Sequence, residues 1–190
     1  MKRLVGVAAF ALAMTSTAAE RLVEGNAASR VRLLVYEDLQ CPDCADFRRM
    51  LDEKVLPKYG GKVAVDHRDF PLAKHAWARR AAIAARFFGE IGPELGLKYR
   101  KYSFAGIGKA TGANFNERLM EFAKANGVDP AKAVAALEDA NYADAVEADV
   151  KEGVARGVAH TPTVYVNGTA FIETFTFEEL SSAIDSALRP

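Results

Sequence analysis

Two spacings of hydrophobic residues alternate along this chain and predict a fold that mixes strands and helices. Residues 31–39 and 62–70 hold runs of aliphatic and β-branched side chains, which are typical of buried strands. Between these runs, residues 42–55 carry apolar side chains at intervals of three and four, the pattern of one helical face. The fold is therefore expected to begin as strand, helix, strand.

From residue 73 to residue 157 the helical spacing continues without a strand pattern. Strand chemistry returns on both sides of Asn167-Gly168, a dipeptide that favours a two-residue hairpin turn. Thr176 and Glu179 then form a capping-box pattern, which predicts a final helix to Leu188. The predicted order is strand, helix, strand, helical segment, hairpin, helix.

The first residues have the build of a secretory signal peptide. The basic stretch Met1-Lys2-Arg3 precedes an apolar run to Met14 and small residues to Ala19, after which cleavage is expected. The apolar run is too short for a membrane span of about 20 residues, although an uncleaved anchor is the alternative. We therefore expect the mature chain to lie outside the cytoplasm, in the periplasm or secreted, with residues 21–30 as a short polar leader.

Composition narrows the classes of function. The 25 basic and 25 acidic side chains cancel, so nothing in the charge calls for nucleic acid or an anionic membrane as partner. Two cysteines are too few for a fold held together by disulfides. These two, Cys41 and Cys44, stand three positions apart where the first strand pattern gives way to the helix.

The spacing of the cysteines suits a reversible disulfide. Residues three apart on a helix have α-carbons about 5–6 Å from each other, within the range that a disulfide accepts. Pro42 at the first helical position places Cys41 at the N-cap, where free backbone N–H groups and the helix dipole favour a thiolate. Cys44 lies one turn further in and is expected to have the higher pKa. Cys41 is thus predicted to be the attacked sulfur and Cys44 the resolving thiol.

Two other uses of the cysteine pair have less support. A purely structural disulfide is the first alternative, but a loop this short removes little chain entropy. A metal site is the second, and it would need two further ligands from a chain with three histidines.

Three motifs make the chain resemble the DsbA-like branch of the thioredoxin superfamily. The first is Glu-Asp-Leu-Gln-Cys-Pro-Asp-Cys at residues 37–44. The second is Asp-Phe-Pro-Leu at residues 69–72, followed by His75. The third is Thr161-Pro162-Thr163, directly before the predicted hairpin.

The resemblance extends over residues 28–190 and implies an α/β, thioredoxin-like fold with a helical insertion. After a signal peptide at residues 1–19, residues 28–72 and 158–190 would form the thioredoxin-like domain. Residues 73–157 would form the helical insertion. The resemblance implies no cofactor and no metal.

The resemblance also implies roles around the cysteines. Pro162 is expected to be cis and to face Cys41, so that the backbone of Thr161 can pair with an extended substrate segment. Asp38 matches an acid that the family often places three residues before the first cysteine. It is expected to relay a proton to Cys44, with a solvated loop carboxylate as the alternative. His160 is expected either to contact the Cys41 thiolate or a substrate, or to face solvent.

Asp43, between the cysteines, is expected to tune the redox potential. A carboxylate at roughly 7 Å from the Cys41 sulfur opposes the thiolate by about 0.6–2.4 kcal/mol for dielectric constants of 80 to 20. Destabilising the reduced form in this way lowers the potential by roughly 10–50 mV. The protein is therefore expected to be less oxidising than the strongest relatives, unless a cationic His160 offsets Asp43.

The resemblance implies a thiol:disulfide oxidoreductase that acts on substrate proteins with cysteine thiols. Its expected partner is a quinone-linked membrane protein that reoxidises the pair, and it is expected to be a monomer that does not bind nucleic acid. A reductase or isomerase kept reduced by a different membrane partner is one alternative. A non-catalytic binding domain with a static disulfide is the other.

Overall fold

The computed structural model describes residues 21–189, so the expected signal peptide lies outside the described residues. The strands are β1 (Val23–Gly25), β2 (Arg32–Glu37), β3 (Ala64–Asp69), β4 (Thr163–Val166) and β5 (Thr169–Ile172). The helices are α1 (Pro42–Met50), α2 (Leu56–Tyr59), α3 (Ala78–Ile91), α4 (Pro93–Ala105), α5 (Phe115–Ala125), α6 (Pro130–Ala135), α7 (Ala140–Ala155) and α8 (Phe177–Leu188). Within residues 21–189, no helix is both long and apolar enough to cross a membrane.

The described strands form one sheet in the order β1-β3-β2-β4-β5. The central strand β2 runs parallel to β3 and antiparallel to β4, and β4 and β5 form the antiparallel hairpin. Five helices, α3 to α7, lie between β3 and β4 in the chain. The predicted α/β class is confirmed, and so is the predicted order of elements from β2 onward.

The first strand was not predicted. Residues 21–30 were expected to be a loose leader, but β1 pairs antiparallel with β3 through Val23 and Asp66. The chain leaves this edge through Asn26, whose N–H donates to the Val63 carbonyl at 2.8 Å. A strand of three residues is too short to show a period of two, so the hydrophobic pattern could not reveal it.

The helix after the cysteines is longer than predicted. It was expected to end near Val55, but α1 continues through a π-helical turn (Leu51–Val55) into α2. The Leu56 N–H donates to the Leu51 carbonyl, five residues back, just before Pro57. A proline has no N–H to donate, and the wider turn in front of it lets the helix continue to Tyr59.

The hairpin and the last helix form as predicted. Asn167 and Gly168 both have positive φ, 45° and 94°, the backbone that this type of turn requires. Thr176 and Glu179 form the capping box at the start of α8.

The helix that carries the cysteines lies between two hydrophobic clusters of different character. The first cluster joins the sheet to α1 and α8 and is mostly aliphatic, with Leu33, Leu51 and Ile184 among its buried members. The second is rich in aromatic side chains from the segment between β3 and β4. It includes Cys41 and Cys44 together with Trp77, Phe88, Tyr99, Phe104, Phe115 and Phe122. The cysteine pair therefore lies where the two parts of the molecule meet.

Candidate active site

The chain places Cys41 at the start of α1 as predicted. Cys41 is the N-cap residue, with an extended backbone (φ −81°, ψ 124°), and Pro42 begins the helix. The Cys41 N–H donates to the Asp38 carbonyl at 3.0 Å, which closes the turn between β2 and α1. Both cysteines are free thiols, and Cys41 is 4% exposed whereas Cys44 is fully buried. The pair is thus described in its dithiol form.

The Thr161–Pro162 peptide bond is cis, and it lies directly before β4. Because β4 pairs with β2, with Thr163 opposite Tyr36, the turn before β4 comes to the same end of the sheet as the cysteines. The Cys41 thiol donates to the Thr161 carbonyl at 3.3 Å across 120 positions of sequence. The geometry therefore brings the two predicted motifs into contact.

The surroundings of Cys41 favour its thiolate. They lower its pKa from 9.0 to about 6, chiefly because the Cys44 thiol can donate a hydrogen bond to it. Burial acts in the opposite direction, but the backbone N–H groups of Cys44 and Asp43 and the hydroxyl of Thr161 outweigh it. In the dithiol form that hydroxyl is buried without a hydrogen-bond partner. The Thr161 hydroxyl can therefore donate a hydrogen bond to the Cys41 sulfur when Cys41 ionises.

Cys44 has the opposite character. Burial raises its pKa well above 9.0, and the neighbouring Cys41 raises it further. The Asp38 N–H points at the Cys44 sulfur from 3.5 Å and opposes this trend only in part. The two thiols therefore have different pKa values in the order predicted from their positions on the helix.

The carboxylate of Asp38 is fully buried, which excludes the solvated alternative. It accepts hydrogen bonds of 2.7 Å from the N–H groups of Gln40 and Leu72 and lies 2.7 Å from Nδ1 of His75. These contacts tie the loop before Cys41 to the segment after β3. Only the backbone of Asp38 contacts Cys44 at hydrogen-bond distance, and the proton relay stays a prediction.

His160 and Asp43 lie at the surface. The His160 side chain is 60% exposed, and its Nδ1 lies 3.2 Å from Oε1 of Glu173. Asp43 is exposed in the first turn of α1, where its backbone N–H, rather than its carboxylate, stabilises the Cys41 thiolate. The structure thus brings Cys41, Cys44, Pro42, Thr161 and Pro162 together, and it places His160 facing solvent.

A buried ionic network next to the site was not predicted. It comprises eight charged side chains that are at most 9% exposed: Glu24, Glu37, Arg48, His67, Asp69, Arg86, Arg100 and Asp149. At its centre, Arg100 from α4 donates to Glu37 at 2.9 Å and to Asp69 at 2.6 Å. Arg86 from α3 joins Asp69, at 2.6 Å, to Asp149. The network fixes the end of β2, and hence the loop to Cys41, against the helices.

His67 is the titratable centre of the network. Its Nδ1 lies 2.6 Å from Glu37 and its Nε2 lies 2.9 Å from Glu24. Burial alone would lower the pKa of His67, but the two carboxylates outweigh it and raise the pKa. Burial alone would raise the pKa of Glu24, but His67 and Arg48 lower it to about 2. Because an ionised carboxylate only accepts, both ring nitrogens of His67 carry protons.

Sequence reasoning missed this network because each of its members resembles an ordinary surface charge. The one signal was the position of acids at the ends of strands, since Glu37 and Asp69 are the last residues of β2 and β3. Their partners, Arg86 and Arg100, sit on helices whose buried faces cannot be oriented from sequence alone.

Comparison with known proteins identifies the family. A family model described as Thioredoxin matches residues 17–186. The match spans most of the chain, and the protein therefore belongs to the thioredoxin family. The search of curated proteins finds no match.

Solved structures refine the fold. The chain is similar to BdbD from Bacillus subtilis, with a TM-score of 0.79 and 21% identity over 88% of this chain and 92% of that one. It is also similar to alpha-DsbA1 from Wolbachia pipientis, with a TM-score of 0.77 and 18% identity over 88% and 90%. A periplasmic thioredoxin-like protein from Salmonella enterica serovar Typhimurium gives 0.75 and 18% over 92% of both chains. The fold is thus the DsbA-like variant of thioredoxin, as the motifs predicted.

Proposed function

We propose that the protein is an extracytoplasmic thiol:disulfide oxidoreductase that introduces or exchanges disulfides in other proteins through Cys41 and Cys44. One observation carries the proposal: two adjacent thiols have pKa values displaced in opposite directions, to about 6 for Cys41 and well above 9.0 for Cys44. Perturbed pairs of this kind are typical of functional sites. The structures of DsbA-type proteins with the same fold support it.

The displaced pKa values assign the order of bond exchange. A substrate thiolate attacks the Cys41 sulfur of the oxidised pair, which breaks the Cys41–Cys44 bond, and the departing Cys44 thiolate takes up a proton. A second substrate thiolate then attacks the substrate sulfur of this mixed disulfide and releases the Cys41 thiolate. The substrate loses two electrons and gains a disulfide, while the pair becomes a dithiol. A thiolate of low pKa is the better leaving group, so Cys41 suits the second step.

The groups around Cys41 would hold the substrate for this exchange. The Thr161 carbonyl accepts from the Cys41 thiol, so it lies where an extended substrate segment would place its own backbone. Pro42 and the N–H of Asp43 belong to the helix start that stabilises the thiolate. Thr161 and Pro162 are therefore proposed as substrate-binding residues and Cys41 and Cys44 as catalytic residues.

The proposed division of the chain into domains follows the two hydrophobic clusters. Residues 28–72 and 158–190 are proposed as the thioredoxin-like domain, and residues 73–157 as a helical insertion. The aromatic cluster of that insertion contacts both cysteines. We propose that the insertion shields the pair from water and that a quinone-linked membrane protein reoxidises it. The mature chain would act as a monomer outside the cytoplasm, after cleavage near Ala19.

The direct test is a pair of assays on the wild type and on Cys41→Ser. The oxidised protein should form a disulfide in a two-cysteine peptide, and the Cys41→Ser variant should not. Activity only in the reduction of insulin would favour the reductase or isomerase. No activity in either direction, with wild type and variant alike, would leave a non-catalytic binding domain. The redox state of the pair in cells, by thiol trapping, then gives the direction of electron flow.

A further inference from the structure

A small groove lies beside the cysteine pair and is not used by the exchange described above. One wall is the α1 face with Asp43, Asp46, Phe47 and Met50, and the other is the segment between β5 and α8. That second segment is attached to the cis-proline turn, because the Glu173 N–H donates to the Pro162 carbonyl at 2.8 Å. A substrate segment bound over Cys41 would therefore reach the groove with the residues that flank its cysteine.

The floor of the groove is apolar. The rings of Phe47 and Phe175 have centroids 5.6 Å apart, and Met50 lies beside them. The cavity has a volume of about 150 Å³. This is room for one large apolar side chain of a partner.

The rim of the groove is acidic. Three carboxylates border it, from Asp43, Asp46 and Glu173, and no lysine or arginine is among its lining residues. The side chains of Asp46 and Glu173 are 69% and 44% exposed, so both carboxylates face water. A partner that enters the groove must bring its charge close to all three.

The basic side chains that contact this rim are exposed. Arg49 pairs with Asp46 at 3.1 Å and Nδ1 of His160 lies 3.2 Å from Glu173, and the side chains of Arg49 and His160 are both at least 60% exposed. Exposed pairs of this kind contribute little and are screened by salt. A positively charged side chain on a substrate can therefore compete for the same carboxylates.

We propose that this groove selects substrate cysteines flanked by one large apolar residue and by a lysine or arginine. The apolar side chain would occupy the floor at Phe47 and Phe175, and the cation would lie between Asp43 and Glu173. An acidic flanking residue would meet like charge at the rim while its cysteine thiolate approaches Cys41. Like charges across an interface reject wrong partners and slow their association. The proposal rests on the proposed function and names the substrates that this site prefers.

The test uses three dithiol peptides that differ only in the residue beside the reacting cysteine, which is Lys, Gln or Glu. The measured quantity is kcat/KM for their oxidation by the oxidised protein. Reversal of one charge at about 6 Å from one carboxylate, with water-like screening, predicts that the Lys peptide is oxidised about tenfold faster than the Glu peptide at low salt. The preference should shrink to about twofold in 1 M salt, where the Debye length is about 3 Å.

Variants at the rim test whether its carboxylates cause the preference for the Lys peptide. In Asp46→Asn/Glu173→Gln two of the three rim carboxylates are neutral, so the ratio of Lys to Glu peptide should fall at least about twofold below the wild-type value. The matched control is Glu94→Gln, which removes an exposed carboxylate in the first turn of α4, outside the groove, and should keep the wild-type ratio. All three substitutions are at surface positions, so folding does not depend on them.

A binding measurement separates this proposal from the proposed function. The same peptides with serine in place of cysteine are titrated against the Cys41→Ser protein, and the Lys peptide should bind more tightly than the Glu peptide by a similar factor. Equal kcat/KM values and equal affinities for the three peptides would overturn the proposal, as would a ratio that survives in the double variant. Failure to oxidise even the Gln peptide would overturn the proposed function, whereas the binding ratio would still decide the selectivity of the groove.

Discussion

The ionic network and the cysteine pair are two buried ionisable regions, and the turn between β2 and α1 holds them close together. They stabilise buried charge by different kinds of contact. In the network each charge has an opposite partner at hydrogen-bond distance, as Arg100 has Glu37 and Asp69. At the cysteine pair, four hydrogen-bond donors surround one sulfur and no cation is among the principal causes of its lowered pKa. The network is complete in one protonation state, whereas the donors around Cys41 can all be used only when Cys41 ionises.

Because of this difference, the network contributes to the stability of the fold and the cysteine pair to its reactivity. A network whose members satisfy one another keeps the end of β2 fixed, but removal of one member leaves another charge buried and alone. The cysteine pair contributes less to the fold in its dithiol form, since the Thr161 hydroxyl lacks a partner there. Buried polar groups that are satisfied in only one chemical state bias the chemistry toward that state.

The largest effect is expected from Arg100→Met, which breaks the network at its centre. Glu37 and Asp69 would each lose a buried cation, and loss of one member of such a buried set costs about 3–5 kcal/mol in the free energy of unfolding. Urea denaturation of the two proteins measures the change. The control is Arg79→Met, because Arg79 and Glu147 form an exposed pair at 3.3 Å, for which we expect less than about 1 kcal/mol. A similar small change in both variants would show that the network is no more stabilising than a surface pair.

A second expectation concerns pH and His67. The folded protein raises the pKa of this histidine, so its contribution is fully present below the unfolded value of 6.5 and is lost as pH rises through the folded value. The free energy of unfolding of the wild type should therefore exceed that of His67→Gln by more at pH 5.5 than at pH 9. Denaturation at both pH values tests this, with His160→Gln as the exposed control. A gap that widens toward high pH would contradict the doubly protonated His67.

Cys41 should show the opposite dependence on pH. Its folded pKa is depressed, so the stabilisation of the reduced protein is present above 9.0 and is lost as pH falls through about 6. Reduced wild type should thus gain stability relative to Cys41→Ser as pH rises from 6 to 9. Thiolate absorbance at 240 nm of the reduced protein, with Cys41→Ser as the blank, should have a midpoint near 6.

Removal of the Thr161 hydroxyl, which can donate to the Cys41 thiolate, should shift the midpoint of the same thiol titration. In Thr161→Val the midpoint should rise by up to about one unit, because a hydrogen bond to a charged group is worth about 1.5 kcal/mol. The matched substitution Thr163→Val removes a hydroxyl that donates to the His160 carbonyl and should leave the midpoint in place. An unchanged midpoint in both variants would remove Thr161 from the groups that stabilise the thiolate.

How much of this was visible in the sequence differs between the two regions. The cysteine pair and the Thr161–Pro162 motif are local signals with fixed spacing, and they led to the correct fold family and to the contact across 120 residues. The hairpin at Asn167-Gly168 and the capping box at Thr176 were equally local. In each case a few neighbouring residues determine the geometry.

The ionic network and the edge strand β1 could not be predicted from the sequence, because both depend on contacts between segments that are distant along the chain. Arg100 differs from a surface arginine only by the two carboxylates that reach it from β2 and β3. The same holds for Asp38, whose burial follows from the Leu72 N–H and from His75 rather than from its neighbours in sequence. Contacts between distant segments of this kind have no periodic signature.

The smallest expected effect belongs to Asp43, the residue that separates the two cysteines. Its side chain is exposed, and so its charge is screened by a dielectric constant close to that of water. The carboxylate then opposes the Cys41 thiolate by about 0.6 kcal/mol, which corresponds to about 10–20 mV in the reduction potential. Asp43→Asn should raise the potential by that amount, because loss of the carboxylate stabilises the reduced thiolate form. Equilibration against glutathione, monitored by thiol trapping, measures the shift, and Glu94→Gln should give none. High salt should abolish a surface effect, so a shift that persists in 1 M salt, or a fall in potential, would mean that Asp43 acts through the backbone of the helix start instead.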